Sequence, residues 1–204
     1  MKETLTLKLS ANKLDKEKIL FGAKVLRDGG LVAFPTETVY GLGANFFNKK
    51  TITRLYRVKR RPKGKPFTVH IASADTIKKT GCVIGGEAKA LIKKFWPGPL
   101  TIVLRSKSGR SVGFRMPDNE IALALIRKAR VPIVTPSANI SGAKPPTSAR
   151  EVLKSLDGKI DILIDGGKTK IGIESTVVDL TVKPLKILRE GAISRKQIFS
   201  ALRS

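Results

Sequence analysis

Apolar residues at Ile19, Leu20, Ala23 and Leu26 recur at helical spacing and predict a helix over 14–27, closed by Gly29-Gly30. The run that follows, Leu31 to Phe34, is wholly apolar and reads as a buried strand. Ile52, Leu55 and Tyr56 give an apolar face to a helix over 51–59, which the sequence RPKGKP ends. Strands are expected over 66–72, 100–104, 113–116, 131–135, 160–164, 175–180 and 185–188. A helix over 87–95 stops at Pro97-Gly98-Pro99, and one over 120–128 takes Asp118 or Asn119 as its cap. Ser148 with Glu151, and Ser194 with Gln197, read as capping boxes that open a helix to about Leu156 and a short final helix. Strands and helices alternate at first and strands dominate later. This predicts an α/β fold on a mixed, twisted sheet, in which ligands sit at strand ends. No internal repeat or low-complexity linker divides the chain, so residues 1–204 are read as one domain.

Charge sharpens the picture. Lys and Arg number 40 against 16 Asp and Glu, a formal net charge of +24 spread along the chain. That favours a polyanionic partner such as nucleic acid, a nucleotide or an acidic surface, although a solvated, self-repelling surface gives the same count. A single cysteine, Cys82, and a single histidine, His70, exclude a disulfide framework and a Cys/His zinc site within one chain. A reducing, cytoplasmic location fits. The opening MKETLTLKLS is too polar for a signal-peptide core, and no apolar run approaches ~18 residues, so no membrane partner is expected.

Five loops carry unusual chemistry. PTETVYG follows the first buried strand and sets Thr36, Thr38 and Tyr40 between a proline and a glycine. Such hydroxyls suit a small polar ligand, or merely a threonine-rich turn. KRRPKGKP holds Lys59, Arg61 and Lys65 between stiffening prolines, which fits a phosphate site or a solvated basic turn. In VGFRMP, Arg115 stands among apolar residues and needs an anionic partner, either a ligand or an internal carboxylate. TPSANISGAKPPTS is a long loop whose Ser137, Asn139 and Ser141 can donate to phosphate or ribose oxygens. The pair IESTVVD and ILREG puts Glu174, Ser175, Arg189 and Glu190 at strand ends. His70 alternates with Val69 and Ile71, as a ligand contact or as a half-buried strand residue.

Common catalytic signatures are absent. GGKTKIG is no Walker A loop, because Ile162 stands where the first glycine is required. No G-x-G-x-x-G, G-x-S-x-G or H-E-x-x-H occurs, and Cys82 shows no sign of activation. The loops alone therefore suggest nucleotidyl or phosphoryl transfer, where positioning and fixed charge supply most of the catalysis.

The loops together resemble the YrdC-like family, the L-threonylcarbamoyladenylate synthases. The resemblance runs over about 14–191 and rests on PTETVYGLGAN, K-x-R-P at Lys59 to Pro62, FWPGPLT, VGFRMP, TPSANISG, IESTVVD and ILREG. The family's K-x-R and S-x-N signature falls on Lys59, Arg61, Ser137 and Asn139, which the resemblance makes the catalytic set. It implies a twisted α/β sheet with a large, positive concave surface. It implies condensation of threonine, bicarbonate or carbon dioxide, and ATP with Mg2+, into threonylcarbamoyl-AMP and pyrophosphate. Partner transferase proteins would then carry the threonylcarbamoyl group to tRNA. By the same resemblance Thr36, Thr38, His70, Arg115, Thr135 and Ser175 would hold threonine. Lys59, Arg61, Lys65, Arg115, Ser137, Asn139, Pro145 and Arg189 would hold ATP. No resident metal is implied beyond the Mg2+ that ATP carries.

Arg60, Lys65 and Phe67 depart from the commoner family residues, and the two basic ones, Arg60 and Lys65, sharpen the charge near the phosphates. Longer relatives add a linker and a second domain after the position of Gly191, so the chain reads as the short, single-domain form. The competing reading is a non-catalytic double-stranded RNA or tRNA binder using the same basic concavity, with steep salt dependence. An aromatic content of only 5% argues against base stacking as its main mode. A third reading, the carbamoyl-adenylate chemistry of hydrogenase-maturation proteins, belongs to much longer chains.

Overall fold

The computed structural model describes residues 3–10 and 13–203. Met1 and Lys2 of the opening segment, and Ser204 of the expected domain, lie outside the described residues. The chain runs β1 (Leu5–Lys8), α1 (Lys16–Arg27), β2 (Val32–Phe34), β3 (Gly41–Asn45), α2 (Lys49–Lys59) and β4 (Thr68–His70). It continues with α3 (Gly86–Phe95), β5 (Leu100–Arg105), β6 (Ser111–Arg115), α4 (Glu120–Ala129), β7 (Ile133–Val134) and α5 (Ala149–Leu156). It closes with β8 (Ile162–Asp165), β9 (Thr176–Asp179), β10 (Lys186–Arg189) and α6 (Arg195–Arg203). The strands form one mixed sheet in the order β1-β8-β2-β3-β7-β4-β6-β5-β9-β10, as the alternating pattern leads one to expect. No helix among the described residues is long and apolar enough to cross a membrane.

The helices start where polar caps stand. Asp15 accepts from the backbone N–H of Glu17 and Lys18, Asn48 from that of Thr51, and Asn119 from that of Ala122. Ser194 and Gln197 close a reciprocal capping box. The box expected at Ser148 is displaced by one residue. The Ser148 hydroxyl accepts from Glu151 N, but the Glu151 carboxylate takes the N–H and hydroxyl of Thr147.

Three features escape the sequence reading. β1 is an edge strand paired parallel to β8. β3, expected as part of a loop, is a fully buried strand. Its glycines answer to close packing: a Cβ on Gly41 would lie 2.4 Å from Thr135 Cγ2, and one on Gly43 2.7 Å from Phe34 Cε1. A 3-10 helix over Ala74–Thr80 was also not foreseen.

The sheet is packed differently on its two faces. One face carries the larger core, into which Tyr40, Leu42, Ala44, Val69, Phe114 and Ile102 point. The other carries a smaller core of Val32, Phe34 and Ile133, covered by α1 and α4 through Leu26, Ile121 and Leu125. That cover stops near β7. Beyond it, the second face of β4, β6, β5 and β9 presents polar residues. Because side chains alternate along a strand, Val69 enters the core while Thr68 and His70 face the uncovered side.

Candidate functional site

The uncovered face forms the floor of a cleft with about 590 Å³ of empty space, open to solvent. Thr68 and His70 of β4, Thr101 of β5 and Arg115 of β6 make the floor. Parallel pairing places His70 directly beside Arg115. The walls come from the loops: Thr36, Tyr40 and Gly41 on one side, Arg61, Pro66 and Phe67 on another, Thr135 to Ser137 on a third, and Glu174, Ser175 and Arg189 on the last.

The loop after β2 is a turn built on threonine. Thr36 Oγ1 donates to Val39 O at 2.7 Å and accepts from the N–H groups of Thr38 and Val39. It also lies 2.9 Å from Thr38 Oγ1, which accepts from Arg115 Nη2 at 2.8 Å. Tyr40 fixes the far end, donating its hydroxyl to Gly167 O at 2.6 Å and accepting from Gly166 N–H. Burial, reinforced by Asp165, pushes the phenol's pKa well above its ordinary value.

Arg115 is almost fully buried. Its Nε donates to Gly98 O at 3.2 Å, and Glu37 Oε2 lies 2.8 Å from Nη2. Arg115 is the ion-pair partner of the Glu37 carboxylate, whose two buried oxygens have no hydrogen bond to any other group. An internal carboxylate is therefore one partner of Arg115, which also lines the cleft. Burial pulls the guanidinium below its ordinary value and Glu37 pushes it back.

His70 is buried, and its Nδ1 has no hydrogen-bond partner. Burial, and then repulsion by Arg115, hold the imidazole well below its ordinary value of 6.5. It is neutral at pH 7, so it can meet a ligand as donor or acceptor without adding charge. A consequence is testable. The unfolded chain takes up a proton near pH 6.5 that the folded chain refuses, so stability is lost as pH falls below that value. His70→Asn is expected to flatten the stability–pH curve below 6.5, measured by urea unfolding. Parallel curves for the two proteins would show that His70 is not held neutral.

Ser175 joins two strands: its hydroxyl lies 2.9 Å from Thr101 Oγ1 and accepts from Arg189 Nη2 at 3.2 Å. Arg189 also donates to Ser175 O and pairs with Glu174 at 2.8 Å. Arg61 donates to Lys65 O and Pro66 O and lies 5.1 Å over the Phe67 ring. Three guanidinium groups thus converge on a cleft whose lining holds one carboxylate, Glu174. Such a site favours an anion.

Of the expected residues, Thr36, Arg61, His70, Arg115, Thr135, Ser137, Ser175 and Arg189 line the cleft. Thr38, Lys59, Lys65, Asn139 and Pro145 do not. Lys59 was expected to face a triphosphate. Instead its ammonium is buried, donating to Ser137 O, Asn139 O and Asn139 Oδ1 at 2.5, 2.7 and 3.3 Å. Burial, then repulsion by Arg61, lowers it to about 8. Asn139 donates to Ala143 O and accepts from the Ser137 hydroxyl, so it folds the loop on itself. Lys65 is exposed and serves through its carbonyl, which accepts from Arg61. Thr38 stands behind the wall as a partner of Arg115.

Sequence reasoning missed Glu37 and the lining residues Thr101, Thr68 and Phe67 as site groups, and had Glu174 only as a strand-end charge. The period-2 alternation with His70 was a signal for Thr68, and FWPGPLT ends on Thr101. Lys59→Met is expected to destabilise by about 2 kcal/mol, because the loop's oxygens lose their donor while a desolvated charge is also removed. Denaturant unfolding measures the loss, and an unchanged midpoint would refute the bracing role.

The family model Sua5_yciO_yrdC, described as telomere recombination, matches residues 24–191. The threonylcarbamoyl-AMP synthase of Pyrococcus abyssi is 47% identical over 195 residues, covering 91% of this chain and 57% of that protein. The Bacillus subtilis protein of the same name is 44% identical over 191 residues, covering 89% and 55%. The crystal structure of P. abyssi Sua5 complexed with L-threonine superposes with a TM-score of 0.93 at 43% identity, covering 97% of this chain and 61% of that one. The chain spans little more than half the length of these relatives. With the family model matching residues 24–191 and the sheet superposing on that structure, the chain belongs to the Sua5/YciO/YrdC family.

Proposed function

We propose that this chain makes threonylcarbamoyl-AMP from L-threonine, carbon dioxide or bicarbonate, and ATP, releasing pyrophosphate. The observation that carries the reading is the convergence of Arg61, Arg115 and Arg189 with a neutral His70 and fixed hydroxyls in one cleft. A relative of high similarity was crystallised with L-threonine, and the named activity of the relatives is threonylcarbamoyl-AMP synthesis.

In this reading the threonine carboxylate meets Arg115, and its hydroxyl meets Thr36 or Ser175. His70 accepts or donates one neutral hydrogen bond. The threonine amine attacks carbon dioxide, forming a carbamate and releasing a proton to solvent. A carbamate oxygen then attacks the α-phosphorus of ATP, and the bond to pyrophosphate breaks. Arg61 and Arg189 stabilise the charge that develops on the phosphate oxygens, in a cleft that holds them without reorganisation. Lys59 and Asn139 act through the Thr135–Ser137 wall, which they hold in place. Mg2+ enters with ATP as part of the substrate. A transferase acting on tRNA would consume the product.

The test is pyrophosphate release by the full chain with ATP, Mg2+ and bicarbonate, with and without threonine. Threonine-dependent release, with the mixed anhydride identified by mass spectrometry, is the expected result. Release that ignores threonine, or none from folded protein, would refute the proposal.

A further inference from the structure

A second concavity lies on the opposite face of the sheet from the cleft. It opens between α2 and the 3-10 helix over Ala74–Thr80, with about 1530 Å³ of empty space. Aromatics make up only 5% of the chain, yet Phe46, Phe47, Tyr56 and Phe67 gather here. Ile52, Val112 and Val134 complete an apolar floor. Three cations, Lys49, Lys79 and Arg110, stand among the lining residues, and no carboxylate does. We infer that this groove docks an amphipathic helix of a partner protein, apolar on the inner side and acidic along its flanks.

Dimensions favour a helix. The floor crosses the ends of β3, β7, β4 and β6, which are successive in the sheet. Three strand spacings of about 4.8 Å span roughly 14 Å, against a helix diameter of about 10–12 Å. Apolar anchors below and opposite charges at the rim are how helices seat in grooves.

The rings speak against an unpaired nucleic-acid strand. Phe67 is already engaged by Tyr56, with centroids 4.3 Å apart, and by the Arg61 guanidinium at 5.1 Å. Phe46 and Phe47 meet edge to face. A base-binding groove needs free ring faces, and these rings are largely turned on one another. A second copy of this chain is disfavoured too, since it would bring a net charge of +24 against the same cations.

The groove is not isolated from the cleft. Pro66 and Phe67 line both, and the same segment holds Arg61 through Pro66 O and the Phe67 ring. A helix pressing on Phe67 therefore bears on the wall that positions Arg61. The docking inference itself does not depend on the reaction proposed above.

The test places a photo-crosslinking amino acid at Thr53, on the α2 wall of the groove, in the full chain expressed in its native cell. A second chain carries it at Lys128 on α4 as a remote control. The crosslinked peptide is sequenced by mass spectrometry, and the same sequence is synthesised for binding to the purified chain. The expected result is an acidic segment with apolar residues at helical spacing, captured at Thr53 and not at Lys128. The combined changes Lys79→Glu and Arg110→Glu should weaken its binding at least ~10-fold, and binding should fall with salt. Capture of RNA, of a second copy, or of nothing beyond the control would overturn the inference. So would a captured peptide whose affinity ignores the charge reversals.

Discussion

Arg115→Met is expected to lower folding stability by about 3–5 kcal/mol, because it leaves the buried carboxylate of Glu37 without its counter-ion. For a chain of this size that corresponds to a fall in melting temperature of roughly 6–20 °C. Gly98 O and Thr38 Oγ1 lose their donor at the same time. Lysine cannot substitute, since one ammonium cannot reach three acceptors that the planar fork reaches together. The cause can be separated from simple loss of volume. Adding Glu37→Gln to Arg115→Met removes the stranded charge and should restore at least ~1 kcal/mol. Urea unfolding of the two single variants and the double measures this. A double variant no more stable than Arg115→Met would show that the ion pair is not what holds the floor of the cleft.

Arg61→Ala should do the reverse, leaving the fold and disabling the chemistry. Its side-chain partners are the carbonyls of Lys65 and Pro66, which are exposed and can turn to water. Stability should therefore change by less than about 1 kcal/mol. A fixed cation facing developing phosphate charge is worth far more, and kcat for pyrophosphate release should fall roughly 10²–10³-fold. Threonine affinity, read by calorimetry without ATP, should change little. Unchanged turnover would mean that Arg61 does not face the triphosphate, and the role would pass to Arg189.

Much of the site was legible because its chemistry is concentrated in loops between well-marked elements. Arg115 among apolar residues announced a buried charge, although not which partner it has. Glu37 comes to it through the pairing of distant strands, and local pattern carries no record of that. Lys59 is a different case. Thr51, Leu55 and Lys59 form the buried side of α2 at a spacing of four, so helical periodicity already turned the lysine inward. The presence of a basic cluster around it hid that signal. The strand β3 was hidden by its glycines, which resemble turn residues until the side chains pressing on them are known. The displaced box at Ser148 has the same origin, since Thr147 competes for the Glu151 carboxylate.

In β4 the ligand side and the core side are set by neighbouring residues, His70 and Val69. A one-residue slip of the strand would exchange them, sending an imidazole into the apolar interior and a valine into the cleft. Reaction and folding would fail together. A gain or loss of two residues within the strand would leave the two sides as they are, and a change ahead of the strand is absorbed by the exposed turn over 62–65. Length variation in this part of the molecule therefore belongs to the exposed turn ahead of β4, while the three residues of the strand are fixed in number.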